Sequence, residues 1–285
     1  MNAQSGQPRL GAFARPDLAE REFRRIAELA RAKYGIQLEP QKRAMIQSRL
    51  LKRLRARGLA DFVSYCDLME SDSDEEDHFI SSITTNVTNF YREVHHFKQL
   101  QEEVLPPLLD RARRGSRVRL WSAGCSTGPE AYSLAGSVLK LCPEAGRHDI
   151  RILATDLDQA VLKQAAEAIY PAEQCQVPGP DWAAQVFDPA RGPGPFRIRD
   201  GVRAIVSFRA LNLNAAWPMT GKFDVIMCRN VAIYFDRSVQ QRLWMRFAEL
   251  LPAGGALFIG HSERISGPAA DLFEPIGITA YRKRA

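Results

Sequence analysis

Two groups of residues have the types and spacing to hold a small molecule. The first is Gly124-Cys125-Ser126-Thr127-Gly128, followed at once by Pro129 and Glu130; the second is Asp156, at the end of the apolar run 150–155. Glycines let a ligand approach the backbone closely, and a carboxylate at a strand tip accepts hydrogen bonds from both hydroxyls of a ribose. The ligand implied is a nucleoside-containing cofactor. A dinucleotide fingerprint needs G-x-G-x-x-G with a helix N-terminus facing a pyrophosphate, whereas only G-x-x-x-G stands here before Pro129 and Glu130. An anionic Glu130 in the first turn of a helix repels a phosphate and suits a ligand with a positive end. S-adenosylmethionine, with an amino group and a sulfonium, is such a ligand; simple complementation of the helix dipole is the alternative role for Glu130.

Those residues need a strand, a tight loop and a helix beneath them. Residues 118–123 read as a short buried strand, 124–128 as the loop and 130–141 as the helix, with Pro129 suited to its first turn. A second strand over 150–155 leads to Asp158, a good N-cap for the next helix. This is one βαβ unit. Further strands are expected over 204–211, ending at Asn212-Leu213-Asn214, over 223–228, ending at Arg229-Asn230, and over 256–260, with a helix over 239–251 and an antiparallel return over 276–281. The fold class is therefore α/β: a Rossmann-like, mostly parallel sheet with helices on both faces and an antiparallel last strand. Strand tips at Gly124, Asp156, Asn212 and Asn230 then line one crevice at the carboxyl edge.

At 285 residues, with 45% apolar and 25% charged residues, the chain has the composition of a globular protein with a sizeable core. No apolar run spans a bilayer and the N-terminus lacks a secretion-signal layout, so a cytoplasmic location without membrane insertion is expected. Cys66, Cys125, Cys142, Cys175 and Cys228 are scattered without C-x-x-C pairing, which argues for reduced thiols and against a metal site. Residues 1–16 read as a loose tail, 17–83 as a helical N-terminal domain broken at Gly35 and Gly58, 84–95 as a linker, and 96–285 as the α/β domain, with a small β insertion over 172–203. The acidic stretch 71–77 reads as a loop. The net charge of +6 concentrates around the helix over 45–57: continued at helical spacing, Lys42 just before it, Arg49 and Arg53 fall within about 40° of one another beside the face of Ile46, Leu50 and Leu54. Such a stripe suits phosphates, acidic side chains of a partner helix, or water alone; without interleaved aromatics, nucleic acid is the weakest of the three.

Five blocks then converge: 84–93 (Thr-Thr-Asn-Val-Thr-Asn-Phe-Tyr-Arg-Glu), the glycine loop, Ala154-Thr155-Asp156, Cys228-Arg229-Asn230-Val231 with Ile233-Tyr234-Phe235-Asp236, and Gly260-His261-Ser262-Glu263. In this order and spacing they resemble the CheR family of chemoreceptor glutamate methyltransferases over about 23–281. The resemblance implies a helical domain joined to a class I methyltransferase domain that uses S-adenosylmethionine and releases S-adenosylhomocysteine. By matched position it implies cofactor contacts from Asn86, Thr88, Arg92, Gly124, Glu130, Asp156, Asn212, Leu213, Arg229 and Asn230. Asp156 would take the ribose, Asn212 and Leu213 the adenine, and Glu130 a positive end of the methionine part. It further implies that Arg92 and Tyr234 face the methyl acceptor, and that Lys42, Arg49 and Arg53 meet the acidic methylation helices of a chemoreceptor's cytoplasmic domain, with a receptor tail as a second partner for the β insertion. One departure stands out: the family's loop usually continues with two acids and a proline, whereas here Pro129 precedes Glu130. The activity implied is protein-glutamate O-methylation. A cofactor-loaded signalling scaffold without turnover, and a methyltransferase acting on another acidic substrate, are the alternatives.

Overall fold

A computed structural model describes residues 16–188 and 194–285. The expected tail and the Gly192-Pro193 turn lie outside them, apart from Pro16. The helical region comprises α1 (Glu20–Tyr34), α2 (Arg43–Arg57), α3 (Phe62–Ser71) and α4 (Ser73–Ile83). Gly35 and Gly58 end α1 and α2 as expected. The stretch 71–77 is not a loop: Asp72 accepts from the amides of Asp74 (2.8 Å) and Glu75 (3.3 Å) and so starts a new helix within two residues of the old one. Asp74, Glu75 and Glu76 of that stretch form the first turn of α4, where they complement the dipole.

The chain then runs through α5 (Val94–Gln99), one π-helical turn (Leu100–Val104) and α6 (Leu105–Arg113). The π turn absorbs the break expected at Pro106 and Pro107, which sit in the first turn of α6, where missing amide donors cost least. Next come β1 (Val118–Ala123), α7 (Pro129–Leu141), β2 (Ile150–Asp156), α8 (Gln159–Glu167), β3 (Ile169–Tyr170), α9 (Pro180–Val186), β4 (Phe196–Arg197), α10 (Asp200–Ala204), β5 (Val206–Ala210), β6 (Val225–Cys228), α11 (Arg237–Leu250), β7 (Ala256–Ile259), β8 (Phe273–Gly277) and β9 (Ala280–Lys283). Seven strands form one sheet in the order β5-β2-β1-β6-β7-β9-β8, parallel except for β9, which runs antiparallel to both of its neighbours. The final return is thus a hairpin whose turn at Ile278-Thr279 falls inside the stretch expected to be a single strand. Strand order reverses between β1 and β6, which places a crevice at their carboxyl ends.

The insertion departs from its expectation. Its described part is largely helical and irregular, with a single pairing of β3 with β4 (Ile169 opposite Arg197, Tyr170 opposite Phe196) and one bridge from Phe187 to Ile198. Phe196-Arg197-Ile198-Arg199 alternates in burial as a strand does, with Ile198 fully buried, but only Phe196 and Arg197 pair with β3, and Asp200 starts α10.

One face of the sheet is covered by α7, α9 and the helices before β1. On the other face, Trp121, Ile226, Leu257, Leu243 and Trp244 form a single apolar core with Phe23, Ile26, Ile46, Leu50, Tyr65 and Phe79 of the helical region. The helical region and the sheet therefore share a core.

Candidate cofactor and methyl-acceptor site

The crevice is a cleft of about 980 Å³ counting its open mouth, a volume in the range of ligand sites. It is walled by strand tips, by the linker before α5 and by the helical region. Of the residues singled out in the sequence, Asn86, Thr88, Arg92, Gly124, Glu130, Asp156, Asn212, Leu213, Arg229, Asn230 and Tyr234 all line it. The structure brings these together from five separate stretches of chain.

At one end, Glu130 is nearly buried; its Oε1 accepts from the Ser122 hydroxyl (2.7 Å) and its Oε2 lies 3.5 Å from Nη1 of Arg229. Burial pushes the Glu130 carboxyl above its ordinary range, opposed by Arg229 and Ser122. A cationic ligand group beside it favours the anion further. Arg229 is itself held: its Nη2 donates to the Arg92 carbonyl and sits 3.5 Å from Glu93 Oε2, and its guanidinium lies over the Phe97 ring. Asp156 accepts from the amides of Ser126 (2.7 Å) and Asp158 (3.0 Å), which fixes the carboxylate at the tip of β2; burial still raises its pKa. At the far end, Leu213 joins Ile36, Leu157 and Leu211 in an apolar wall, and Asn212 is braced by its bond to the Lys33 carbonyl (2.8 Å).

Two observations test whether this wall fits a nucleoside cofactor. Asn230 Oδ1 is buried on the cleft side of the sheet with no donor among the described residues, an acceptor left over for a ligand. At Gly124 (φ 85°) a Cβ would lie 2.3 Å from Val231 Cγ2, so only glycine allows the loop to close on the turn after β6. Both fit. Asp156, Asn212, Leu213, Glu130 and Asn230 all line this one cavity.

The linker that brings Asn86, Thr88 and Arg92 is pinned by Asp158. Besides capping α8 through the Ala160 amide, Asp158 accepts from Ser81 (2.7 Å), Thr84 (3.4 Å) and Asn86 Nδ2 (2.9 Å). Arg92 donates from Nη1 to the Val87 carbonyl (3.0 Å). Tyr234, in the turn after β6, has Lys42 Nζ 5.3 Å from its ring centroid.

The basic stripe behaves differently from its expectation. Arg53 makes a bidentate pair with Glu75, 2.8 Å at each arm, and Glu75 is fully buried. Burial alone raises the Glu75 carboxyl, but Arg53 outweighs it and holds the pKa below the ordinary value. Arg49 donates to the carbonyls of Ser82 (3.2 Å) and Thr84 (2.6 Å), capping the end of α4. Arg49 and Arg53 are therefore internal fasteners. Lys42 lies at Tyr234, and the exposed cations of α2 without a partner among the described residues are Lys52 and Arg55. Helical periodicity gave the angles correctly; the acid that draws Arg53 inward sits twenty-two positions away, where periodicity says nothing.

Sequence reasoning missed Tyr34, Ile36 and Leu157 on the cleft wall, and the supporting carboxylates Glu93 and Glu263. Tyr34 and Ile36 flank Gly35, far from every block that signalled chemistry, and carry no local mark. Glu93 and Glu263 did lie in singled-out blocks, without a role.

Residues 86–282 match CheR methyltransferase, SAM binding domain, and residues 21–84 match CheR methyltransferase, all-alpha domain. The chain belongs to the CheR methyltransferase family. It is 46% identical over 252 residues to a probable chemotaxis protein methyltransferase of Rhizobium etli, covering 87% of this chain and 94% of that one. It is 43% identical to the chemotaxis protein methyltransferase of Escherichia coli, covering 87% and 86%, and 40% identical to that of Klebsiella aerogenes, covering 95% and 92%. S-adenosylmethionine is accordingly the cofactor of this CheR chain, and the cleft with Glu130 and Asp156 is its candidate site. No helix among the described residues is long and apolar enough to cross a membrane.

Proposed function

We propose that this CheR methyltransferase esterifies glutamate side chains on the cytoplasmic domain of chemoreceptors, as part of sensory adaptation. The observation that carries the reading is a shared cavity: Arg92 and Tyr234 line the same cleft as Glu130 and Asp156, so an acidic side chain entering it meets a guanidinium and a phenol beside the cofactor. The relatives' names, chemotaxis protein methyltransferase, point to the same substrate class.

Bound S-adenosylmethionine supplies an electrophilic methyl group on a cationic sulfur. A glutamate acceptor, with an ordinary pKa near 4.3, is already anionic at neutral pH, so the chain needs no general base. Arg92, tethered to Val87, orients the carboxylate through a charge-assisted bond, and the Tyr234 hydroxyl donates a second. Holding the acceptor oxygen in line and excluding water supplies several kcal/mol, about the magnitude positioning gives. His96 takes no proton in this scheme: its Nε2 faces the Ile278 carbonyl (2.8 Å) and Thr279 (3.1 Å) in the core. Lys42, Lys52 and Arg55 are the cations available to steer an acidic helix toward the cleft.

The test is transfer of a radiolabelled methyl group from S-adenosylmethionine to cytoplasmic fragments of chemoreceptors. Label that enters the fragment and is released by mild base, as an ester is, supports the reading. No transfer, or base-stable label, overturns it.

A further inference from the structure

Between β7 and the final hairpin, residues 260–263 form a turn that contributes no residue to the cleft lining. Its side chains nevertheless reach both segments that do. Glu263, 4% exposed, accepts four backbone amides: Oε1 from Val231 (3.0 Å) and Ile233 (3.2 Å), Oε2 from Asn230 (3.2 Å) and Gly260 (2.5 Å). On the other side, the His261 amide donates to Glu93 Oε1 (3.4 Å) and its Nδ1 lies 3.0 Å from the same oxygen. Glu93 is the neighbour of Arg92; Ile233 is the neighbour of Tyr234. One four-residue turn thus grips the two segments that carry the cleft-lining Arg92 and Tyr234.

Both gripped segments need gripping. Glu93 (φ 56°) and Asn230 (φ 60°) are non-glycine residues in the left-handed region, a conformation that persists only where surrounding contacts over-determine it. The approach is close as well: a Cβ at Gly260 would lie 2.6 Å from the Asn230 nitrogen and 2.9 Å from Glu263 Oε2.

We infer that the 260–263 turn sets the separation of Arg92 and Tyr234 and the direction of the Asn230 side chain, with Glu263 as its principal positioning residue. The part concerning Arg92 and Tyr234 rests on the acceptor reading above; the part concerning Asn230 does not. A carboxylate is suited to the task because it accepts on both oxygens. In Glu263→Gln one oxygen becomes an amino group, so a pair of amides faces a donor and the turn after β6 shifts.

The experiment is a set of double-mutant cycles, because groups that act through one another are non-additive while a merely structural group lowers stability and multiplies. Glu263→Gln is expected to lower kcat on a receptor fragment about tenfold, on the scale of a lost positioning contact. Tyr234→Phe should cost about threefold in the parent and under about twofold on top of Glu263→Gln. Asn230→Ala and Glu263→Gln should each weaken S-adenosylmethionine binding by calorimetry, and the double variant should be no weaker than about twofold beyond the worse single one. His261→Ala, whose ring is exposed and whose loss leaves the fold intact, should lower kcat about two- to fivefold, non-additively with Arg92→Lys and multiplicatively with Tyr234→Phe. Multiplicative effects in the Glu263 cycles, or unchanged kcat and affinity in Glu263→Gln, overturn the inference. If the parent protein fails to methylate receptor fragments, the acceptor reading falls, and the Asn230 cycle by itself decides for or against the turn.

Discussion

Helix α2 and the linker before α5 carry opposite lessons about polar side chains. Helix α2 displays a dense row of cations that, as sequence, looks like a docking face, yet Arg43, Arg49, Arg53 and Arg57 turn to the Leu18 carbonyl, the end of α4, Glu75 and Asp72 within their own domain. The linker displays threonines and asparagines that, as sequence, look like local capping, yet Thr84 to Thr88 wall the cleft. What separates the two is the partner. Long basic side chains reach acids and carbonyls folded against them and are consumed there; the linker, pinned at its back by Asp158, presents its other side to the cavity.

The sharpest way to break this comparison is Arg53→Glu. It sets a second carboxylate against fully buried Glu75, and removing one partner of a buried pair costs about 3–5 kcal/mol, so urea unfolding should show a loss at least that large. Lys52→Glu or Arg55→Glu, on exposed positions, should change stability by no more than about 0.5 kcal/mol while raising KM for a receptor fragment. Equal stability of Arg53→Glu and the parent would return the stripe to the surface.

Asp156→Ala comes next. Losing a charged acceptor for a pair of hydroxyls costs about 3 kcal/mol, so S-adenosylmethionine affinity by calorimetry should fall about a hundredfold with α2 and its ion pairs untouched. A loss under tenfold would shift the ribose site to another wall of the cleft.

A third measurement sharpens the contrast through pH. His96 at the base of the linker is fully buried, and burial, then the Arg229 charge, lower its pKa to about 4, with His95 acting in the same sense and Glu93 and the Ile278 carbonyl against it. Its pKa is depressed relative to the unfolded chain, so its stabilising contribution is complete above about pH 6.5 and is lost as pH falls toward 4. Between pH 7 and pH 5 the parent should lose on the order of 1–2 kcal/mol more than His96→Gln. Parallel pH profiles would show that burial does not depress the His96 pKa in the folded protein. The smallest effect is Tyr234→Phe, about threefold in kcat, or about 0.6 kcal/mol for one hydrogen bond, with cofactor affinity unchanged; a change in affinity would move the phenol to the cofactor side.

Much of the α/β unit was legible because its determinants are local. Glycine spacing, Pro129 at a helix start, Asp158 at the next one and short apolar runs fix each element within a few residues, and right-handed crossovers order the parallel strands. The cleft followed, since strand tips must meet at the carboxyl edge. Illegible were features decided by distant neighbours. The burial of Glu75 depends on α2, α3 and α4 packing together, and Tyr34 reaches the cleft only because the helical region lies on the sheet.

The common core between the N-terminal helices and one side of the sheet bears on how such a protein can be inherited or cut. With Leu243, Trp244 and Ile226 sealed by Phe23, Ile46 and Tyr65, the catalytic half removed from its helices would bare an oily surface, and a solitary helical half would lose its floor. Neither half is expected to fold alone, and the two should unfold in a single transition.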